Sequence, residues 1–429
     1  MGGAARVRAP DPRWRAGGRQ RGACASRGRA TVSARIAVTG IGVVSPIGIG
    51  PQQFWSALCA GRSGVRALDR PAGDDGAPRI AAAVRDFPAR EFITSAHYRR
   101  MDALSRMTVA ACRMALDDAR ALTGLDLARL GVVVGSALGD VSDSAQYLDK
   151  VFAKGPAAAS PMLFPNLVLN APASYAAMEF GTCGINFTVS QGEISGHAAL
   201  VLAADQLRAG RAEVILAGGA DELAPVVMRA LRRLRVLAGQ RGGREWASPY
   251  DAARSGVVLG EGAAMLVLES YERARRRGAA VYACLDESAA FAVPSPPYDW
   301  PQRLAPPPAL AALSGGEAVQ LVCGAANSSP HLDAVELALF GELPATRAAT
   351  LTSIKGAIGE FGAAGALSAA AACLALRHQL APPLCHLETP AGAAIRLAGR
   401  VAEPLAIARA LVFGLARGGS GAALQFSRA

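Results

Sequence analysis

The sequence predicts an α/β protein built from two similar halves. Three observations carry that expectation. Short runs rich in Val, Ile, Leu and Ala alternate with longer segments of helical periodicity, the pattern of strands joined by crossover helices and hence of parallel-rich sheets. The alternation starts after Arg35 and starts again near Ala279, so one arrangement is written twice. With 429 residues, 51% hydrophobic and 18% charged, the chain can bury a sizeable core and suits one large unit or two fused halves of about 200 residues each. The expected boundaries are 34–270 for the first half and 271–429 for the second.

Residues 1–33 stand outside that pattern. They hold eight arginines against one acid, Asp11, and so supply +7 of the formal net charge of +11. Rich in Arg, Gly and Ala and without apolar periodicity, they read as a disordered basic tail, and they lack the apolar run of a secretory signal. The body is nearly balanced in charge, so no nucleic-acid partner is expected. From Ile36, Ile-Ala-Val-Thr-Gly-Ile-Gly-Val-Val-Ser reads as a buried strand, and Phe54 to Gly64 as a helix and its stop. Between Arg99 and Ala119, Met101, Leu104, Met107, Val109, Ala110 and Met114 recur at helical spacing, a core stripe rather than a cofactor box. Leu130–Ser136 reads as a strand and residues 138–170 as a long, loop-rich excursion.

The central stretch is Phe187 to Leu200, a β-branched strand that turns at Gly192 and opens an Ala-rich helix beyond Ser195. A side chain on such a turn, here Glu193, faces the free N–H groups of the helix, which favour negative charge and assist a nucleophile. Strand Val214–Ala217 follows and ends in Gly-Gly-Ala-Asp. In the second half, strands are expected at 281–285, 319–323, 349–353, 410–414 and 422–426, with helices at 333–339 and 362–376. Residues 294–308 form a Pro-rich loop.

Cysteines 24, 59, 112, 183, 284, 323, 373 and 385 are scattered without a C-x-x-C pair, which fits free thiols in a reducing cytoplasm. The uncharged run 361–376 is shorter than the roughly 18 to 20 apolar residues of a membrane span, so no span is expected. Histidines 97, 197, 331, 378 and 386 have no metal spacing, and neither metal nor cofactor is predicted. His197, four residues after Glu193, is the one nearest the central turn. Lysine is rare: Lys150, Lys154 and Lys355 are the three.

Several motifs together resemble the β-ketoacyl synthases, the condensing enzymes of fatty-acid and polyketide synthesis. The opening strand and helix are similar to that family's start, and Val189 to Gly196 aligns without a gap to its nucleophile turn, V-S-T-A-C-A-S-G. Ser248-Pro-Tyr-Asp251 through Arg254 to Gly260-Glu261-Gly262-Ala263 resembles the family's S-x-P-F-D-x-x-R-x-G-F-V-x-G-E-G-A, where Asp251 and Glu261 are expected to cap backbone turns. The resemblance covers roughly residues 35 to 426 and implies a thiolase-like five-layered αβαβα fold with the site between the halves.

It also implies a Cys-His-His site, and this chain departs from it at all three positions. Glu193 replaces the cysteine. Anchoring N-A-H-G-T-x-T-P-x-N-D-x-x-E on Pro330 and on Asp333 to Glu336 puts Ala325 at the first histidine. In K-S-x-x-G-H-x-x-G-A-A-G the second is replaced by Glu360, with one residue deleted. A carboxylate is a weak nucleophile and its acyl anhydride hydrolyses far more readily than a thioester, so condensation is not expected. The resemblance implies instead a chain-length-factor-type subunit that pairs with an active ketosynthase, or with itself, and meets acyl carrier protein. Two alternatives stay open: altered chemistry on malonyl- or acyl-carrier protein, as a decarboxylase or hydrolase with Glu193 and Glu360 as acid and base, and an interaction protein without acyl chemistry. The family pattern pairs Lys355 with Glu336. At the C-terminus, Val412 to Gly421 aligns with the gate loop G-F-G-G-T-N and places Arg417 at the gating phenylalanine, where it is expected to cover the old nucleophile position and pair with Glu193 or Glu360.

Overall fold

A computed structural model describes residues 35–68, 80–313, 317–392 and 394–429. The basic tail, including Cys24, lies outside them.

The two halves carry the same five-strand topology. In the first, β1 (Ile36–Ser45), β2 (Leu130–Gly135), β3 (Asn186–Val189), β4 (Val214–Asp221) and β5 (Gly262–Ser270) stand in the order β3-β2-β4-β5-β1. In the second, β6 (Ala283–Ala292), β7 (Leu321–Cys323), β8 (Thr350–Thr352), β9 (Arg409–Leu415) and β10 (Ser420–Ser427) stand in the order β8-β7-β9-β10-β6. The first strands of the halves pair antiparallel, Ile36–Val38 against Ala283–Leu285, so both sheets join in one hydrogen-bonded path. The proposed boundary at 270/271 falls between β5 and β6.

The sheets are mixed rather than parallel-rich. β2 pairs parallel with β3 and β4, and β7 with β8 and β9, but β5 runs antiparallel to β4 and β1, and β10 antiparallel to β9 and β6. For β9–β10 the short connection 416–419 already excludes a parallel crossover, but β4–β5 are joined by the long segment 222–261, and a nine-residue strand buried on both faces reads the same in either direction.

Side-chain alternation shows which faces are covered. Ile215, Ala217, Ala264, Leu266 and Leu268 of the first sheet and Leu321, Cys323, Ala410 and Val412 of the second belong to one core. Their neighbours Val214, Leu216, Met265 and Val267 belong to a second core, and Val322, Leu411 and Phe413 to a third. The shared core holds two central helices. The other two lie under outer helices, giving five layers.

Of the helices, α1 (Pro51–Cys59) packs on β1, and α2 (Ala103–Ala119) covers the outer face of the first sheet with Met107, Val109 and Ala110 in its core. Next come α3 (Val141–Lys154) and α4 (Ala171–Phe180). The central layer is α5 (Ser195–Arg208) and α8 (Ala364–His378), which touch each other and both sheets. Between them in sequence lie α6 (Pro225–Arg233) and α7 (Pro330–Glu342), the latter in the third core. Residues 364–376 of α8 are all buried, which only a run of small and aliphatic residues allows at such close approach. The excursion 138–170 is less loop-rich than expected, because α3 occupies nearly half of it. No residue of α3 is buried, so its sequence lacks the core stripe that marks α2.

Candidate functional site

Four turns converge where the halves meet. After β3 the chain turns at Gly192, whose φ of 56° suits glycine, and α5 begins at Ser195. Ser195 closes the turn: its hydroxyl donates to Gly192 O at 2.7 Å and accepts from Gln191 N–H at 2.9 Å. The Gly359–Gly362 turn lies against it, with Gly196 N–H donating to Gly362 O at 3.3 Å. A Cβ at Gly362 would sit 2.3 Å from Ala137 Cβ and 2.8 Å from Gly192 O, so the approach requires glycine there. The loop Gly324–Ser329 after β7 and the β9–β10 turn through Gly418 and Gly419 complete the site.

Glu193 is half-buried and pairs with Arg417: its Oε1 meets Arg417 Nη1, and its Oε2 accepts from the Arg417 backbone N–H at 3.2 Å. The guanidinium lies over the Trp300 ring, 4.8 Å from its centroid. Trp300 is itself buried, and its loop is tied to the Arg417 turn by Gly418 N–H donating to Asp299 O at 3.1 Å. Arg417 therefore has both a charge partner and an aromatic face holding it over position 193 rather than over Glu360.

Glu360 is buried and paired elsewhere. Its Oε2 accepts from Lys355 Nζ at 2.8 Å and from Asn327 Nδ2 at 2.6 Å. This corrects the expectation that Lys355 pairs with Glu336. Lys355 Nζ also donates to Ala325 O at 3.0 Å, so it joins the two positions where the family motif has histidines. Glu336 is already satisfied: it accepts from Ala325 N–H at 2.6 Å, Ala326 N–H at 2.7 Å and the Tyr250 hydroxyl at 2.8 Å. Burial pushes its carboxyl up to about 7 against those donors. Asp333, one helical turn earlier, accepts from Tyr250 N–H at 2.8 Å and Asn327 N–H at 3.1 Å, and burial raises it to about 6.

Ala325 is buried and offers the site only its backbone. Asp251 accepts from the N–H groups of Ala253, Glu388 and Thr389 at 2.7 to 2.8 Å; burial alone would raise its carboxyl, but these donors hold it below the usual range. Glu261 bridges Val84 N–H at 2.8 Å and Leu223 N–H at 3.0 Å, with burial raising its carboxyl. Both hold backbone in place.

Trp300, Tyr250 and Asn327 are site residues that sequence reasoning passed over as loop or motif anchors. Only Tyr250 carried a signal, an aromatic inside the S-P-Y-D segment. His197 is fully buried between Gly365 and Gly414, where an added Cβ would lie 2.1 and 2.5 Å from its ring, and burial lowers its basicity to about 3. It is a neutral packing element. The cysteine closest in sequence to the site, Cys323, is buried in β7 with its thiol pushed up to about 12, far from the activated range. Among the described residues no cluster of His, Cys, Asp or Glu could hold a metal, and no helix is long and apolar enough to cross a membrane.

The family model for Beta-ketoacyl synthase, N-terminal domain, matches residues 33–274, and that for Beta-ketoacyl synthase, C-terminal domain, matches residues 309–388. The chain is 31% identical over 409 residues to 3-oxoacyl-(acyl-carrier-protein) synthase 2 of Vibrio harveyi, covering 92% of this chain and 98% of that one. It is 34% identical over 378 residues to the granaticin polyketide putative beta-ketoacyl synthase 1 of Streptomyces violaceoruber, covering 83% and 89%. Among solved structures, the ishigamide ketosynthase/chain length factor superposes with a TM-score of 0.84 at 26% identity, covering 92% of this chain and 100% of that one. A beta-ketoacyl synthase from Burkholderia phymatum gives 0.83 at 25%, with the same coverage. Its thiolase-like fold, its motifs and these matches together place the chain in the β-ketoacyl synthase family.

Proposed function

We propose that this chain is a non-condensing, chain-length-factor-type subunit that pairs with an active ketosynthase in fatty-acid or polyketide biosynthesis. The observation that carries the reading is the Glu193–Arg417 pair: the position of the acyl-accepting thiol holds a carboxylate, and that carboxylate is covered by a guanidinium. The decarboxylase or hydrolase reading is disfavoured by the same geometry. Glu193 and Glu360 are each bound to their own cation, which leaves neither free to act as the acid or the base.

Pairing is supported by the surface. β3 ends the sheet path, bonded on one side to β2, and Phe187 on it is exposed together with Met162, Phe164 and Met178. An unpaired edge strand beside exposed apolar residues needs a partner strand. The arginines at 229, 233, 235, 241 and 244, on and after α6, are exposed and suit a carrier protein with an acidic face. A reducing cytoplasm fits the seven described cysteines, all free.

The test is co-expression with an intact ketosynthase encoded beside it. A stable heterodimer whose product length changes when this subunit is exchanged for another is the expected result. A monodisperse monomer at micromolar concentration, unaffected by that ketosynthase, contradicts it.

A further inference from the structure

An open groove of about 550 Å³ lies where β4 begins and β5 ends, at the opposite end of the first sheet from the turn that carries Glu193. That volume falls within the range of small-molecule sites, roughly 300 to 1,000 Å³. Its lining is mostly polar: Thr123, Glu213, Ser270 and the arginines 273, 276 and 277, with Leu207 and Ala212 as the apolar part. Gly124 and Gly210 turn beside it at φ of 69° and 68°, with open space where a side chain would stand.

The charges there do not cancel. Glu269, buried beside the groove, engages Arg277 through both oxygens and Arg273 Nη1 at 2.5 Å. Glu213 meets Arg129 Nε at 3.5 Å and Arg273 Nε at 3.7 Å. Four guanidiniums thus stand against two carboxylates, and Arg276 has no partner among the described residues. Glu272, one turn earlier, makes no ion pair with it and does not line the groove. The backbone acceptors at the ends of α2 and α5 are also taken: Ala119 O accepts from Arg277 Nη1 at 2.8 Å and Gly210 O from Arg129 Nη2 at 3.0 Å. An anion from outside the chain therefore answers Arg276. Arg273 and Arg276 are three residues apart on the short helix Tyr271–Arg276, a spacing that sets their Cβ atoms about 5 to 6 Å apart on one face. A phosphoryl group can accept from both guanidiniums, with the hydroxyls of Ser270 and Thr123 as further donors. Glu213 then remains as an acceptor for hydroxyl groups on the rest of the ligand.

We propose that this groove binds a sugar phosphate, its phosphoryl oxygens accepting from Arg276 and Arg273 and its hydroxyls donating to Glu213. The site goes beyond the pairing role and is tested on the full-length chain without a partner, so either can fail without the other. Ligand-observed NMR titration with ribose 5-phosphate at fixed ionic strength should show saturable binding, and ribose, which lacks the phosphate, should show none. Arg276→Ala should weaken ribose 5-phosphate by about tenfold or more. Arg275→Ala, which removes the adjacent exposed charge outside the lining, should leave it within about twofold, so the two variants separate a site from general attraction to an arginine-rich chain. Thr123→Trp keeps every arginine and fills the groove from an exposed turn, and it should abolish binding while circular dichroism stays unchanged. Absence of saturable binding, equal losses in Arg275→Ala and Arg276→Ala, ribose 5-phosphate binding no tighter than inorganic phosphate, or undiminished binding by Thr123→Trp would overturn the proposal.

Discussion

Replacing a thiol by a carboxylate at residue 193 changes what the surrounding side chains must do. A half-buried charge needs a partner, and a helix N-terminus offsets only about 0.3 to 2 kcal/mol of the cost, so a guanidinium from the β9–β10 turn answers it. That pairing was legible in the sequence, because a buried acid and an arginine in the gate segment constrain each other. The partner of Lys355 was not: spacing within a motif does not reveal that Glu336 has two backbone N–H groups and a tyrosine hydroxyl, nor that Asn327 brings Glu360 within reach. Two outcomes follow at this scale. Arg417→Phe should leave condensation, assayed with acyl- and malonyl-carrier protein, undetectable, since the missing thiol and histidines are limiting. Lys355→Met should strand Glu360 and cost about 3 to 5 kcal/mol, read as a lowered denaturation midpoint, and Lys355→Met with Glu360→Leu should recover part of it. A midpoint unchanged in the single variant would show that the pair does not hold the two loops together.

The elements that form the central layer were predictable from composition, and those on the rim were not. The run 362–376 is too uniformly small and apolar to be anything but buried, and the structure packs α8 against α5 with His197 filling the space left by Gly365 and Gly414. The α3 helix escaped because its faces are solvated, leaving only the Asp140 cap, which accepts from Asp143 N–H at 2.9 Å, as a signal. The tight α5–α8 contact gives a sharp expectation. Gly365→Ala should destabilise the protein by more than the ordinary glycine-to-alanine effect on a helix, which on its own would stabilise by about 1 kcal/mol, because the new methyl would meet the imidazole at 2.1 Å. Adding His197→Ala should restore much of the loss. Additive denaturation midpoints in the double variant would argue that the two helices yield independently.

At the scale of the whole molecule, buried acids set the response to pH. Burial is the largest cause raising Asp102, Asp221 and Asp333 to about 6, Glu336 to about 7 and Asp140 to about 8. Each holds its proton in the folded state at a pH where the unfolded chain has released it, so folding is penalised increasingly as pH rises from the ordinary carboxylate range through these values. The stability measured by denaturant should therefore fall between pH 5 and pH 8, and Glu336→Gln should flatten part of the slope. Asp251 and Glu269, held low by their donors, act only at more acid pH. A profile that is flat or rises across that window would contradict the burial assigned to these groups. The two-half topology was visible in the repeated alternation of the sequence, and the short 416–419 connection marks β9–β10 as antiparallel, but the direction of β5 and the joint between β1 and β6 required the coordinates. The central claim, that this family member holds no acyl chain of its own and serves a partner that does, is tested most directly by intact-protein mass spectrometry of the co-purified pair after incubation with acyl-carrier protein. The account predicts the acyl mass on the ketosynthase alone and none on this chain. An acyl adduct on this chain that maps to Glu193 would contradict it.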